Sequence, residues 1–433
     1  MRSFVFRMAS AFSSASQNDK TGKSALWLAA FACFSTYFCM YGFRKAISAA
    51  SFEQVEAFGI SFKSALVIAQ VLGYMLSKFI GIRIISGLDP LNRSRYILLL
   101  IGASHLCLLF LALAPLPWNV LFLFGNGLCL GLIWGLVFSF IEGRRYTDLI
   151  ALILSINFIF SSGVVKSIGL ATMQYLGVPE IYMPFVTGCF FLPLLFLSVF
   201  LLQKIPPPSQ AEKDQRGERP ALNGKERKAL LQAFLPGLSA VIFMNLLLTV
   251  LRDIKDNYAV EIIRQVQPNA SPLLFTRMET LAALAVFAAL LTLSGIRSHF
   301  RSLQRQHLVI ALGFLTLFLC AFFLDRRTGD PIALLVTYTI GLYTSYNCIQ
   351  CLFLERFIAA YKVRGNIGFF FYLMDSIGYL GSCFLILHKE LFRSQTNWLP
   401  YFTGISLAFG IAGLLAVLGS WRFFSQKNVH HAL

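Results

Sequence analysis

Two arginines stand where an apolar sequence should exclude them. In "YFCMYGFRKAIS" (37–48) the residues Tyr37, Tyr41, Arg44 and Ser48 recur at spacings of four, three and four, which puts them on one face of a helix. In "NLLLTVLRDIKD" (245–256) the residues Asn245, Thr249, Arg252 and Asp256 repeat that pattern. A guanidinium is a planar fork that grips phosphate or carboxylate through two hydrogen bonds. Two such forks facing one another across a hydrated cleft would bind an anion, and low-dielectric walls would strengthen the attraction. Asp256 would hold the Arg252 guanidinium while no ligand is present.

Other ionisable residues lie deep in apolar sequence, where an isolated charge is costly and so faces a cavity or a partner. Lys78 stands beside a face made by Gln70, Tyr74, Ser77 and Gly81 in "ALVIAQVLGYMLSKFIGIR". Lys166, in "SINFIFSSGVVKSIG", is the deepest cation and either lines the cavity or pairs with an acid. Asp375, with Tyr372, Tyr379 and Ser382 on its face, is a proton or cation carrier or the counter-ion of a lysine. Glu279 is a second candidate proton carrier. The plainer alternatives are snorkelling of Arg44 and Lys78 to an interface and a local Arg252–Asp256 ion pair. Lys45 points away from the face of Arg44 and is expected to snorkel.

The elements that must hold these side chains are membrane helices. The chain of 433 residues is 57% hydrophobic, 15% aromatic and 13% charged, against about 25% charged in soluble domains. Apolar stretches at 26–46, 64–86, 96–114, 117–140, 149–175 and 181–203 are each about as long as a bilayer crossing requires. Six more follow at 229–251, 275–296, 306–324, 331–353, 366–388 and 398–421. No window shows the alternation of an outer-membrane barrel. The expected fold is therefore an all-α membrane protein with twelve transmembrane helices. The seventh helix is expected to open near Pro236 or to kink there.

Between the two sets lies "QKIPPPSQAEKDQRGERPALNGKERK" (203–228), with three consecutive prolines, mixed charge and no apolar periodicity. This divides the chain into a tail (1–25), a six-helix bundle (26–203), a linker (204–228), a second six-helix bundle (229–424) and a C-terminal tail (425–433). With the N-terminus inside, 24 of the 37 Lys and Arg fall in inner segments and seven in outer loops, among them Lys63, Lys255 and Lys389. The positive-inside rule then puts both termini in the cytoplasm. The Ser-rich tail "MRSFVFRMASAFSSASQNDKTGK" reads as an inner-face segment of a bacterial inner-membrane protein, the alternative being a eukaryotic transit peptide.

The net charge of +17 thus reports topology and contact with the lipid bilayer, and nucleic acid is excluded as a partner. The nine cysteines all fall within expected helices, so no disulfide framework follows, and Cys348 and Cys351 are read as core. No Ser-His-acid, metal or phosphate-loop spacing appears, so neither an enzyme nor a cofactor is expected. The expected partner is a small anionic solute, bound by a monomer.

These residues resemble a known family. "YFCMYGFRKAIS" is similar to the first-helix Y-x-x-x-Y-x-x-R-K pattern of the organophosphate:phosphate antiporters of the major facilitator superfamily, and "YMLSKFIG" to their second-helix Y-x-x-S-K-F. "LPGLSAVIFMNLLLTVLRDIKDN" resembles their seventh helix, with Asn257 where they carry tryptophan, and "GNGLCLGLIWG" and "SIGYLGS" their fourth and eleventh. Their fifth-helix histidine has no counterpart. The chain also resembles an uncharacterised family of bacterial facilitator-like membrane proteins. The resemblance implies two pseudo-symmetric six-helix bundles, phosphate contacts from Arg44, Arg252 and Lys78, and rocker-switch exchange of a phosphate ester for inorganic phosphate. A sensor that keeps the site without transporting, and a proton-coupled symporter, remain the competing expectations.

Overall fold

The computed structural model describes residues 20–87, 92–141, 147–206, 224–296, 298–361, 368–393 and 396–427. The expected N-terminal tail through residue 19, most of the linker (207–223) and the inner-loop residues Arg144, Arg145, Lys362 and Arg364 lie outside the described residues.

Hydrocarbon offers no hydrogen bonds to a backbone, so each apolar stretch closes its own ladder as a helix. Among the described residues twelve helical spans are long and apolar enough to cross a membrane, and the chain is a multi-pass membrane protein. Before the linker come α1 (Lys20–Arg44), α2 (Phe62–Gly87), α3 (Arg93–Leu113), α4 (Val120–Leu130) continued by α5 (Ile133–Phe138), α6 (Thr147–Ser155) continued by α7 (Phe160–Leu176), and α8 (Met183–Gln203). After it come α9 (Gly224–Asn257), the short α10 (Ala259–Val266), α11 (Pro272–Ser294), α12 (His299–Asp325) and α13 (Pro331–Asn347). A π-helical turn, Cys348–Phe353, leads from α13 into α14 (Leu354–Tyr361), followed by α15 (Gly368–Phe392) and α16 (Trp398–Gln426).

Small residues let the helices of each half approach closely, as expected where lipid tails compete with apolar side chains for contact. A Cβ added at Gly127 of α4 would stand 2.1 Å from the Gln70 carbonyl oxygen of α2, and one at Gly73 would stand 2.1 Å from that of Phe124. Around this crossing a polar knot fixes the end of α1. Gln70 Nε2 donates to Asn126 Oδ1 at 2.8 Å and to the Arg44 carbonyl at 3.1 Å, and Asn126 Nδ2 donates to the Phe43 carbonyl at 3.1 Å. Arg44 is therefore anchored through its own backbone.

The halves meet along two seams, α2 with α15 and α7 with α11. On the second seam Gly163 leaves room for the Glu279 side chain, and Ser167 Oγ donates to the Pro272 carbonyl at 2.6 Å while accepting from Thr276 Oγ1 at 2.6 Å. At the end remote from the linker a polar clasp adds to the seams. Lys63 pairs with Glu261, and Ser64 Oγ lies 2.7 Å from the Tyr258 hydroxyl and donates to Glu390 at 2.9 Å. The Tyr258 ring in turn stacks on Trp398, with centroids 3.4 Å apart. Just before α2, β1 (Glu56–Ala57) and β2 (Ile60–Ser61) pair antiparallel around Phe58 and Gly59, both at positive φ as a primed two-residue turn requires.

Three expectations are corrected. The seventh helix does not open at Pro236: α9 begins at Gly224 and runs through it, with Gly237 packed beneath Phe423 and Phe424 of α16, so tertiary packing outweighs the one lost hydrogen bond. It also continues to Asn257 rather than stopping at 251. Lys255 and Lys389, counted with the outer loops, accordingly lie inside α9 and α15 and are buried, and Lys63 is buried in the first turn of α2. The breaks in the fourth, fifth and tenth spans carried no expectation.

The α2–α4 contact makes a direct prediction. Gly127→Leu overpacks that crossing, a change that costs about 1–3 kcal/mol or more, and lowers the thermal midpoint of the detergent-solubilised chain. Gly102→Leu on α3, where an added Cβ meets nothing within 4 Å, leaves it unchanged or raises it. Equal midpoints for the two variants would contradict the contact.

Candidate functional site

Between the halves lies a cavity with about 50 Å3 open to water, room for a few water molecules. The first half contributes Tyr37, Tyr41 and Arg44 from α1, Lys45 just after it, Tyr74 and Lys78 from α2, Trp134 from α5, and Phe158. Its aromatic wall is built edge to face: Tyr37 meets Tyr41 at 5.6 Å and 72°, and Trp134 at 5.0 Å and 71°. The second half contributes Arg252, Asp253 and Asp256 from α9, Tyr343, Tyr346, Gln350 and Cys351 around the π-turn, and Phe371, Asp375 and Tyr379 from α15.

Arg44 and Arg252 share this cavity, yet their environments differ. The Arg252 Nε and Nη2 both donate to Asp253 Oδ1, at 3.1 and 2.8 Å, and the guanidinium lies 4.5 Å over the Tyr346 ring. Arg44 lies 3.9 Å over the Tyr74 ring. Among the described residues no carboxylate pairs with it, and its buried Nε has no hydrogen-bond partner. Arg44 is 9% exposed, so its largely buried guanidinium meets the cavity with no carboxylate partner among the described residues.

The expectation that Asp256 holds Arg252 is corrected: the adjacent Asp253 does so. Asp256 is engaged elsewhere, accepting from the Tyr343 hydroxyl at 2.5 Å and standing 3.5 Å from Lys255 Nζ. The helical-face rule ranks i+4 above i+1, but a long arginine folding back along its own helix reaches the neighbour. Lys45 is also corrected. It does not snorkel; it turns inward, and Nζ donates to Asn257 Oδ1 at 2.8 Å across the two halves. Asn257 thus supplies an acceptor for a cation of the other half.

Lys78 pairs with Asp375 between α2 and α15. Gln350 Nε2 donates to the other Asp375 oxygen at 2.9 Å and to Asn245 Oδ1 at 2.8 Å. Asn245 therefore lies behind the cavity wall: its Nδ2 is spent on the Met374 carbonyl at 3.1 Å. Lys166 does not line the cavity either. It is fully buried on α7, its Nζ has no hydrogen-bond partner, and it lies within electrostatic reach of Asp256 and Glu279. Glu279 belongs to the α7–α11 seam, where it accepts from Lys255 Nζ at 2.5 Å.

Residues that the helical-face reading passed over include Lys45, Asp253, Tyr343, Tyr346 and Gln350. The last three had a signal, since they stand three and four apart in "GLYTSYNCIQC", the spacing that picked out Arg44. Trp134 and Phe158 had none, because they follow local breaks, at Gly131–Leu132 and in the 3-10 turn Ile156–Phe158.

The chain belongs to a protein family of unknown function, DUF5690, whose sequence pattern matches residues 46–427, beginning just beyond Arg44 and Lys45. No curated protein matches it by sequence. The fold is similar to that of a D-xylose-proton symporter (TM-score 0.62, 12% identity, 92% of this chain and 98% of that one). It is also similar to that of the nucleoside transporter NupG (0.59, 16%, 93% and 100%). A third likeness is to a bacterial homologue of the human drug peptide transporters PepT1 and PepT2 (0.59, 13%, 93% and 98%). At such identities the likeness establishes the fold, the major facilitator arrangement of two pseudo-symmetric six-helix bundles.

Removing one partner of a buried ion pair strands the other, at about 3–5 kcal/mol. Lys78→Met and Asp375→Leu each lower the thermal midpoint, and the double variant recovers most of the loss. Additive losses in that cycle would show that the pair carries no coupling.

Proposed function

We propose that this chain is a secondary active transporter that carries an organic or phosphorylated anion across the membrane by alternating access. The observation that carries the reading is Arg44, a largely buried guanidinium without a counter-ion among the described residues, facing a cavity at the junction of the two bundles. A charge left in that state is costly in a low dielectric, and a bound anion removes the cost. The fold shared with solute transporters supports the same reading.

The roles within the site then differ by partner. Arg44 is the primary anion seat. Lys78 reaches an anion only by giving up Asp375, so the solute competes with a cross-bundle ion pair and its binding biases the contact between α2 and α15. Arg252, already satisfied by Asp253, is a secondary contact. Tyr37, Tyr41 and Tyr74 wall the seat. The motif resemblance supports inorganic phosphate as the exchanged ion. The charge distribution of the loops supports a place in the inner membrane with both termini cytoplasmic.

The test is exchange in proteoliposomes, with labelled phosphate inside and phosphate esters or carboxylates outside. Arg44→Lys keeps the charge but loses the fork, and exchange falls by about tenfold or more, equivalent to ~1.4 kcal/mol; Arg252→Lys falls less. Wild-type rates in Arg44→Lys would sink the reading. For orientation, a fluorescent protein fused after Leu433 should fluoresce and a phosphatase at the same place should be inactive; the reverse pattern would invert the topology.

A further inference from the structure

Among the described residues, the buried polar atoms of cavity-lining side chains that have no hydrogen-bond partner are sorted by bundle. From the first half the unsatisfied atom is a donor, Arg44 Nε. From the second half the unsatisfied atoms are acceptors, Asp253 Oδ2 and Asp256 Oδ1. Both aspartates are 3% exposed. They stand three residues apart on α9, so they are neighbours on one helical face. The Lys255 ammonium, 3.5 Å from Asp256 Oδ1, leaves that oxygen without a hydrogen bond.

The sorting extends to whole charges. Every carboxylate that lines the cavity, Asp253, Asp256 and Asp375, comes from the second half, and the first half supplies only cations, Arg44, Lys45 and Lys78. A plain anion would satisfy Arg44 and leave Asp253 Oδ2 and Asp256 Oδ1 without hydrogen bonds, the latter with only its 3.5 Å ion pair to Lys255. A guest with a positive end and a negative end matches both sets. With Arg252 included, four cations oppose three carboxylates, so a guest carrying one positive and two negative charges leaves the cavity neutral.

We propose that the solute is a zwitterion, its acidic group seated at Arg44 and its ammonium group between Asp253 and Asp256. This rests on the reading of the cavity as an anion site and narrows its substrate class to acids that also carry an amine, phosphorylated amines foremost. Buried acceptors left unpaired discriminate strongly against the analogue that lacks the donor.

The experiment compares pairs of compounds that differ in the ammonium group alone: phosphoethanolamine with ethyl phosphate, taurine with ethanesulfonate, and β-alanine with propionate. Binding to the purified full chain is measured by calorimetry. In a pair that binds, the zwitterion is tighter by about tenfold or more, and Asp256→Asn or Asp253→Asn narrows that ratio while the affinity of the matched anion is kept or rises. Arg44→Lys weakens both members alike. If each matched anion binds as tightly as its zwitterion, or if both aspartate variants keep the full ratio, the inference is overturned and the anion reading stands. If no member of any pair binds, both fall. A variant that fails to fold loses the matched anion too and is thereby recognised, and the comparison in the wild-type chain needs no variant.

Discussion

Charge held inside a low-dielectric slab has to be answered by other charge or by hydrogen bonds, and this requirement organises the centre of the molecule. Lys63 is answered by Glu261, Lys78 by Asp375, Arg252 by Asp253 and Lys255 by Glu279. Lys45 borrows the amide oxygen of Asn257. These partnerships do more than neutralise. Those of Lys45, Lys63 and Lys78 join one bundle to the other, so the cost of burying charge becomes the adhesion between halves. Arg44 and, at the α7–α11 seam, Lys166 are left outside the scheme, and the Gln70 and Asn126 amides hold the Arg44 and Phe43 carbonyls in place. On the proposed function, Arg44 is the position that a solute completes.

Helix geometry at the cavity follows from the same requirement. A straight helix presents one residue in three or four to a neighbour, too few to wall a cavity from all sides. The fourth span slackens at Gly131–Leu132, the fifth passes through a 3-10 turn at Ile156–Phe158, and the tenth through a π-turn at Cys348–Phe353. Trp134, Phe158, Gln350 and Cys351 reach the cavity at or beside these breaks. Backbone irregularity at membrane depth is tolerated where it is buried in protein or lines a cavity, and π-turns inside helices recur at functional sites.

Much of this was legible in the sequence. Twelve apolar stretches define the architecture, because bilayer thickness dictates element length, while most of the proline-rich divider lies outside the described residues. Tyr37, Tyr41, Arg44, Tyr74, Lys78, Arg252, Asp256 and Asp375 are all brought to one cavity, since a deep ionisable residue seldom faces lipid. What escaped was partner choice. The face rule passed over Asp253, and no rule of spacing shows that Lys166 and Glu279 belong to a seam between bundles and that Asn245 sits behind the wall. Those assignments depend on which helices pack together, information carried by Gly163 against Glu279 and by Gly73 and Gly127 between α2 and α4, and not by any one segment read alone.

The fold repeats itself and the site does not. Arg44 and Arg252 close comparable faces of the first helix in each half, yet the second has acquired Asp253 at its side and Asp256 one turn on, while the first has only tyrosines. A symmetric cavity would attract an anion to either wall equally and give the bundles no electrostatic reason to meet. With every lining carboxylate on one wall and only cations among the charges of the other, the two walls are drawn together through Lys78 and Asp375. A guest that supplies both signs can replace that attraction from within. On the proposed reading of the chain as an alternating-access carrier, a half-matched guest leaves one wall unsatisfied, and that difference decides which cargo permits the return.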